Sequence, residues 1–409
     1  MICKRMRHTA LCCLAGLSGI VGLLAAPTIA RADVVTGIST LSQANRLSLF
    51  HDYSINAVGL TTGSAPGSSG LLNSVLGGYS STELVGPGRS YDVFVTPLAG
   101  YDSNPEARRV GQGSAFAGAD LGADYRINLG PEDATVGSPT QFKFAYDLTG
   151  AVYDGTVFNA DALQQTVSAS YRRSLFHDSL WVGVALKDQL TVEHGEAFLN
   201  TLDASPSAEW FLTPQMSLEA NYDYTRMGYF IRVGSRVNPD ANRHTANAKF
   251  HFYSFPQQRG DIPESPDQLG DILRATLARA TVGYAFVDNE SIGRDYVYNA
   301  NRLSVGLEGI HLPRFRFVTM DMNYAHEWDN YMNPSNEGPL ILAGKPKQQR
   351  RKDHVDVFTL RANARLFDLP KDRGTLSTFL QWDLIADRST IIARHYNEFV
   401  ISGGLNYQW

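Results

Sequence analysis

The chain has 409 residues, with 36 basic and 41 acidic side chains and a formal net charge of −5 at pH 7. This balance argues against a nucleic-acid binder, which would carry a basic stripe or a high isoelectric point. All three cysteines (Cys3, Cys12 and Cys13) lie within residues 1–32. The remainder of the chain therefore excludes disulfides, thiol nucleophiles and cysteine-based metal sites, and we predict no metal and no cofactor.

The N-terminal segment has the three parts of a secretory signal peptide. Its short positive region comprises Lys4, Arg5 and Arg7. An apolar run follows from about residue 11 to residue 26, and Ala30-Arg31-Ala32 supplies small residues at a cleavage position. This layout predicts a cleaved export signal over 1–32. An uncleaved membrane anchor is the alternative, which the proline at position 27 disfavours.

Residues 33–88 lack any alternation of apolar and polar side chains and are rich in Ser, Gly and Leu. The stretch 63–70 has the composition of a flexible linker. Three interpretations stay open for this periplasmic N-terminal segment: a flexible lead, a plug that enters a lumen, or an arm that binds a periplasmic partner.

Strict alternation of apolar and polar residues recurs along the rest of the chain. It is clearest at 215–227 and returns at 142–152 and 244–252. Because successive strand side chains point to opposite faces, each window has one apolar and one polar face. No apolar run of about 18 or more residues follows the signal, so only a closed barrel of such strands could cross a membrane.

The alternation predicts about fourteen strands, within a range of 12 to 16. Their approximate spans are 90–101, 114–128, 140–153, 162–173, 178–191, 199–212, 215–228, 243–254, 273–288, 296–311, 314–328, 353–367, 374–387 and 397–409. Such strands exceed the usual five or six residues of soluble sheets, and an even number suits bacterial barrels. We therefore predict an all-β, antiparallel, up-and-down transmembrane barrel over 89–409. A soluble β-sandwich is the alternative.

The connections between these strands alternate in length. The short set is 176–178, 212–214 and 311–313, and the long set is 229–242, 288–295 and 329–352. Short periplasmic turns and longer external loops are the rule in outer-membrane barrels. The connections 129–139 and 255–272 depart from this rule at the periplasmic end.

The last predicted strand ends in an aromatic residue. Phe399, Tyr407 and Trp409 alternate with polar neighbours, which is typical of the C-terminal targeting strand of outer-membrane proteins. We predict that these three residues form an assembly signal for the barrel-assembly machinery, and that outer-membrane lipid and lipopolysaccharide surround the barrel. A chance edge strand is the alternative.

If the apolar faces meet lipid, the polar faces line a lumen. The lumen-facing candidates are Lys143, Asp147, Lys187, Glu219, Asp223, Arg243, Lys249, Arg302, Glu308, Asp321, Arg361, Arg365 and Asp383, with Glu209 and His251 beside them. Mixed charge of this kind can form a transverse field that orients polar solutes. It can equally pair up to satisfy groups that are partly dehydrated.

A dense basic cluster stands out in the predicted external loop. Its members are Lys345, Lys347, Arg350, Arg351 and Lys352. The cluster could contact lipopolysaccharide phosphates or attract anions, and a solvated loop is the plain alternative.

An outer-membrane hydrolase is the least favoured hypothesis. His354 neighbours Asp353 and Asp356, and Ser335 lies in the same region. However, the sequence contains neither a Gly-x-Ser-x-Gly nor a His-Glu-x-x-His motif, and we predict no catalytic residues. An exposed Ser–His hydrogen bond on the outer wall would favour catalysis.

Several short motifs match known barrels. Leu186-Lys187-Asp188-Gln189-Leu190, Tyr222-Asp223-Tyr224-Thr225 and Asn242-Arg243-His244 resemble the C-terminal barrel of the surface lipoprotein assembly modifier family, over about 165–409. Gly100-Tyr101-Asp102-Ser103-Asn104-Pro105 is similar to the first hairpin of that family and of putative β-barrel porins. The resemblance implies a fourteen-stranded barrel that helps lipoproteins reach the cell surface. The family's periplasmic tetratricopeptide domain does not fit, because 33–88 is too short for several repeats of about 34 residues.

The leading functional hypothesis is an outer-membrane channel whose polar lumen passes or exports solutes, with exopolysaccharide as one cargo. The alternatives are a barrel that assists the secretion of surface lipoproteins or other proteins, and a non-conducting structural barrel.

Overall fold

The structure is a computed structural model. It describes residues 88–104, 113–129, 140–154, 162–176, 179–193, 196–213, 215–230, 240–253, 279–293, 296–312, 315–334, 350–368, 374–390 and 395–408. The predicted signal peptide and all but the last residue of the predicted N-terminal segment 33–88 lie outside these ranges, as does Trp409.

Each described range contains one β-strand. The strands are β1 Gly88–Asp102, β2 Ser114–Leu129, β3 Thr140–Tyr153, β4 Ala162–Leu175, β5 Leu180–Glu193, β6 Glu196–Thr213, β7 Met216–Tyr229, β8 Ala241–Tyr253, β9 Arg279–Ser291, β10 Tyr298–Leu312, β11 Phe315–Pro334, β12 Arg350–Asp368, β13 Thr375–Ser389 and β14 Tyr396–Gln408. Every strand pairs with its neighbours in sequence, and β1 pairs antiparallel with β14 to close the barrel. The prediction of an all-β antiparallel barrel of about fourteen strands is confirmed.

The alternation in the sequence places apolar side chains on the outer face of the barrel and polar side chains on its inner face. On β7, Leu218 is 43% exposed on the outer face, whereas Glu219 is 2% exposed on the inner face. The other large apolar side chains on the outer face follow the same rule, including Phe144, Leu186 and Val282. A soluble protein buries such residues, so an apolar exterior around a closed, edgeless sheet suits a lipid surround.

Strands β11 and β12 extend well beyond their predicted ends. Their pairing continues through Asn330↔Lys352 and resumes at Pro334↔Arg350 after an irregularity. The prediction that the whole of 329–352 forms a loop is therefore wrong, because only 335–349 separates the two strands. The extensions contain charged and aromatic residues. In the sequence these residues indicate a loop, but in the barrel they pair across the two strands.

The two ends of the barrel are distinguished by the chain termini. β1 begins and β14 ends at the same end. Three connections at this end, 176–179, 214–215 and 313–314, are short, whereas 130–139 and 254–278 are the exceptions. By the rule that periplasmic turns are short, we assign this end to the periplasm and the opposite end to the cell exterior.

No helix in the described ranges is long and apolar enough to cross a membrane.

Candidate functional site: the inner face of the barrel

The structure places the predicted lumen-facing residues on the inner face. Those buried there are Lys143, Asp147, Lys187, Glu219, Lys249, Glu308, Asp321, Arg361 and Asp383. Asp223, Arg243 and Arg302 are half-buried on the same face. Arg365 pairs with Ser377 in the register of β12 and β13, and its side chain lies outside the described part of the chain.

The clearest local cluster is centred on Glu219 of β7. Lys249, its direct partner on β8, places its Nζ 3.6 Å from Glu219 Oε1. His251 Nε2 lies 3.0 Å from Glu219 Oε2, while His251 Nδ1 contacts Thr281 Oγ1 of β9 at 3.0 Å. His251 is fully buried. The cluster joins three neighbouring strands and satisfies a carboxylate that is withdrawn from water.

Four of the other predicted charges form ion pairs whose second member the sequence did not reveal. The pairs are Lys143–Asp124 at 3.0 Å, Lys187–Asp203 at 2.7 Å, Arg279–Glu308 at 2.5 Å and Arg302–Glu327 at 2.5 Å. Each joins adjacent strands. Glu209 takes a partner from farther away, because Arg172 reaches it across β5 with an N–O distance of 2.8 Å. The partners could not be predicted because they depend on the register of adjacent strands, which the alternation of apolar and polar residues does not reveal.

Arg361 of β12 belongs to a polar network. Its Nε donates to Asn363 Oδ1 at 2.9 Å, and its guanidinium lies 4.3 Å from the ring centroid of Phe379. The two acidic residues nearby accept other hydrogen bonds: Asp383 accepts one from Thr359 at 2.7 Å, and Asp321 accepts one from Gly309 N at 2.8 Å. Asp321 and Asp383 thus accept hydrogen bonds from neutral donors, and each interacts electrostatically with Arg361.

The inner face is acidic at the extracellular end of β11 and β12. Asp329 and Asp353 are direct cross-strand partners, 8% and 2% exposed, and the Oδ1 atom of each lacks a hydrogen-bond partner in the described structure. Asp353 also pairs with Arg351. Like charges placed directly opposite each other on a sheet are destabilising, so this region differs from the satisfied Glu219 cluster.

Acidic groups outnumber basic ones over the described inner face. The acidic residues are Asp102, Asp120, Asp124, Asp147, Asp203, Glu209, Glu219, Asp223, Glu308, Asp321, Glu327, Asp329, Asp353, Asp383, Asp387 and Glu398. The basic residues are Arg126, Lys143, Arg172, Lys187, Arg243, Lys249, Arg279, Arg302, Arg351 and Arg361. The inner face therefore contains more acidic than basic side chains, in addition to the local ion pairs.

The basic cluster is only partly where the sequence predicted it. Arg350, Arg351 and Lys352 belong to β12, so their assignment to a loop is wrong, while Lys345 and Lys347 lie outside the described residues. Strand alternation divides the cluster between two faces. Arg351 turns inward to Asp353 and stacks 4.4 Å from the ring centroid of Tyr331, whereas Lys352 is exposed on the outer face.

Two of the three residues of the predicted assembly signal are described. Phe399 lies on the outer face of β14 with 39% of its surface exposed, and Tyr407 lies on the same face. Recognition by the assembly machinery stays a prediction.

The outer wall carries a histidine–carboxylate pair near the extracellular end. His326 Nδ1 lies 2.6 Å from Asp356 Oδ1, and Tyr324 donates to the same oxygen at 2.7 Å. In the described part of the chain, neither His326 nor His354 is hydrogen-bonded to a serine hydroxyl, which was the arrangement that would favour a hydrolase. Within the same ranges, no group of three or more His, Cys, Asp or Glu residues is arranged to hold a metal ion.

Solved structures similar to this chain are outer-membrane proteins. They include the outer membrane channel DcaP of Acinetobacter baumannii, at 8% identity over 80% of this chain and 99% of that chain, with a TM-score of 0.41. An anion-selective porin from Comamonas acidovorans gives 8% identity, 79% and 99% coverage and a TM-score of 0.40. A bacterial polysaccharide outer membrane secretin gives 9% identity, 78% and 97% coverage and a TM-score of 0.37.

No protein-family model and no curated protein sequence matches the chain. The resemblance to the surface lipoprotein assembly modifier family therefore stays a prediction.

Proposed function

We propose that this protein is an outer-membrane channel for polar solutes that favours cations. The excess of acidic side chains on the inner face of the closed barrel is the observation that carries the proposal. A low-dielectric wall focuses the field of such charges, and rings of Asp and Glu select cations in other channels.

The barrel size and the packing of its inner face together set the scale of the passage. Barrels of about eight strands are filled by their own side chains, whereas those of about 16 to 18 leave an aqueous channel. This barrel has fourteen strands, but most of its inner charged groups are almost fully buried, as Glu219 and Asp353 illustrate at 2% exposure each. We therefore expect a narrow passage with a small conductance.

Planar-bilayer recording tests the proposal directly. The purified full chain should produce discrete conductance steps, and a KCl gradient should give a reversal potential of the sign that indicates K⁺ preference over Cl⁻. A preference for Cl⁻ would overturn the cation assignment, and the absence of any conductance would overturn the channel. A second recording without residues 33–88 tests the plug interpretation, because removal of a plug raises the conductance.

Charge-neutralising variants locate the source of selectivity. Asp329→Asn combined with Asp353→Asn should lower the K⁺/Cl⁻ permeability ratio, since both carboxylates face inward. The matched control is Asp188→Asn combined with Glu290→Gln, which removes two carboxylates from the exposed outer face. Equal changes in the two double variants would contradict selection by the inner face.

A non-conducting structural barrel is the second candidate. It is favoured by the same near-complete burial, because ion pairs between adjacent strands can serve simply to hold the wall together. The bilayer recordings separate the two functions.

Exopolysaccharide as a cargo is tested in the same recordings, and the other predictions need measurements of their own. Exopolysaccharide, added to the compartment on the periplasmic side, should reduce the current if it enters the lumen. A role in surface lipoprotein secretion instead requires a lipoprotein whose surface exposure depends on this barrel. Whether residues 33–88 bind a periplasmic partner is tested by affinity capture with and without that segment.

A further inference from the structure

On the three adjacent strands β11, β12 and β13, the outward side chains change from apolar to polar at one level of the outer wall. On β12 the outward side chains from Leu366 to Phe358 are apolar. Phe358 is aligned with Tyr324 on β11 and with Leu384 on β13. Eight residues of a tilted strand rise about 20 Å along the barrel axis, which approaches the apolar band of about 25 Å that a bilayer core requires.

Polar and basic residues occupy the next rows toward the extracellular end. His326 aligns with Asp356 in the first row, Trp328 with His354 and Arg388 in the second, and Asn330 with Lys352 in the third. His354, Arg388 and Lys352 are all exposed. We call Lys352, His354 and Arg388 the outer basic patch, which His326 and Trp328 border on β11.

The acidic residue beside the patch already has partners. Asp356 Oδ1 accepts hydrogen bonds from both Tyr324 and His326, at 2.7 and 2.6 Å. By contrast, neither Lys352 nor Arg388 forms an ion pair with a carboxylate of the described residues. Arg388 interacts electrostatically with Asp356, but Lys352 and Arg388 together exceed this single carboxylate. The patch thus presents an excess of positive charge toward the membrane, at a level where a charge can reach the lipid headgroups.

One contact holds Lys352 of the patch in place, and a second joins the two bordering residues on β11. Lys352 is fixed through its backbone, because its N–H donates to Thr390 Oγ1 and its carbonyl accepts from Thr390 N, both at 2.9 Å. His326 packs edge-on against Trp328, with ring centroids 4.2 Å apart. An aromatic ring beside a cluster of cations is the arrangement expected at a membrane–water interface.

We propose that the outer basic patch is a binding site for a phosphate group of an outer-leaflet lipid, and specifically for the phosphorylated glucosamine headgroup of lipopolysaccharide. Lys352 and Arg388 would contact the phosphate oxygens, with His354 between them as a further donor. The acyl chains would then lie along the apolar face below, over Phe358 and Leu384. This site lies on the outside of the barrel and is independent of the proposed channel.

Lipid binding to the purified full chain in detergent micelles tests the site. The probes are bisphosphorylated lipid A and its fully dephosphorylated counterpart, titrated separately and followed by native mass spectrometry. We expect bisphosphorylated lipid A to bind more tightly. Lys352→Gln combined with Arg388→Gln should weaken its binding by roughly 10- to 30-fold, since each cation near a lipid surface contributes about 1 kcal/mol.

The matched control removes two outward, exposed arginines elsewhere on the wall: Arg173→Gln on β4 combined with Arg226→Gln on β7. The control should keep the affinity of the unmodified protein. Equal weakening in both double variants, or equal affinity for the dephosphorylated lipid, would overturn the site. Displacement of lipid A by inorganic phosphate alone would show a site for free anions and would overturn the lipid assignment. Heat-modifiable gel mobility verifies that every variant is a folded barrel.

Discussion

The inner face of the barrel contains two charged regions that are built differently. Around Glu219, a carboxylate contacts both Lys249 and His251, so that its negative charge has two nitrogen partners. At the extracellular end of β11 and β12, Asp329 instead faces Asp353 directly. Asp353 also pairs with Arg351, and each aspartate keeps one oxygen without a hydrogen-bond partner in the described structure. Both regions are withdrawn from water to a similar degree.

This difference indicates that the two regions have different roles in the barrel wall. A compensated cluster contributes to the stability of the wall and little to the field inside it. Juxtaposed carboxylates contribute to the field at a cost in stability, which proteins retain mainly where a function requires it. The comparison therefore predicts that similar substitutions have opposite effects in the two regions.

The largest effect is expected for Glu219→Ala. This change leaves Lys249 and His251 buried without their carboxylate, and removal of one partner from a buried pair typically costs about 3 to 5 kcal/mol. The measurement is the free energy of unfolding in urea, with the barrel in lipid vesicles. Glu290→Ala, at an exposed position on the outer face of β9, is the control and should change that free energy by no more than about 0.5 kcal/mol. A loss below about 1 kcal/mol for Glu219→Ala would show that the cluster is not what holds these strands together.

Asp329→Asn should have the opposite sign and a smaller size. The asparagine keeps the shape of the side chain, removes the repulsion with Asp353 and adds an N–H donor. We expect the free energy of unfolding to stay unchanged or to rise by up to about 1 kcal/mol. The matched control is Asp203→Asn, which takes the carboxylate from Lys187 at 2.7 Å and should destabilise the barrel. The comparison fails if the two variants are equally destabilised.

The two regions also differ in how far the sequence could predict them. Alternation alone assigned Glu219, Lys249 and His251 to the inner face of adjacent strands, because β7 and β8 are regular and their polar residues stand two apart. It could not identify the charge opposite each one, since a register shift of a single residue moves every side chain to the other face.

The acidic region was missed for a second reason. Asp329 and Arg351 lie in stretches whose charge density is typical of a solvated loop, and the sequence contains no signal that β11 and β12 pair that far. The inward turn of Arg351 toward Asp353 depends on this extension of the strands. Local pattern thus predicted the architecture and the polarity of the faces, whereas the tertiary pairing decided which charges are compensated.

The smallest change in the free energy of unfolding is expected for a hydrogen bond on the outer face. Comparison with a hydrogen bond of equal length on the inner face tests whether burial or the bond itself determines the energy lost. Tyr324→Phe removes a hydrogen bond of 2.7 Å to Asp356 on the outer face, where Tyr324 is 44% exposed. Asp356 keeps its contact with His326, so no charge is left alone, and we expect a loss of at most about 0.5 to 1 kcal/mol in the same urea unfolding measurement. Thr359→Val, which removes a bond of equal length to the buried Asp383, is the matched inner variant and should cost more, about 1 to 3 kcal/mol, because the carboxylate that loses a donor is shielded from water. Equal losses would mean that bond geometry alone sets the energy, and the contrast between the two inner regions would then require another explanation.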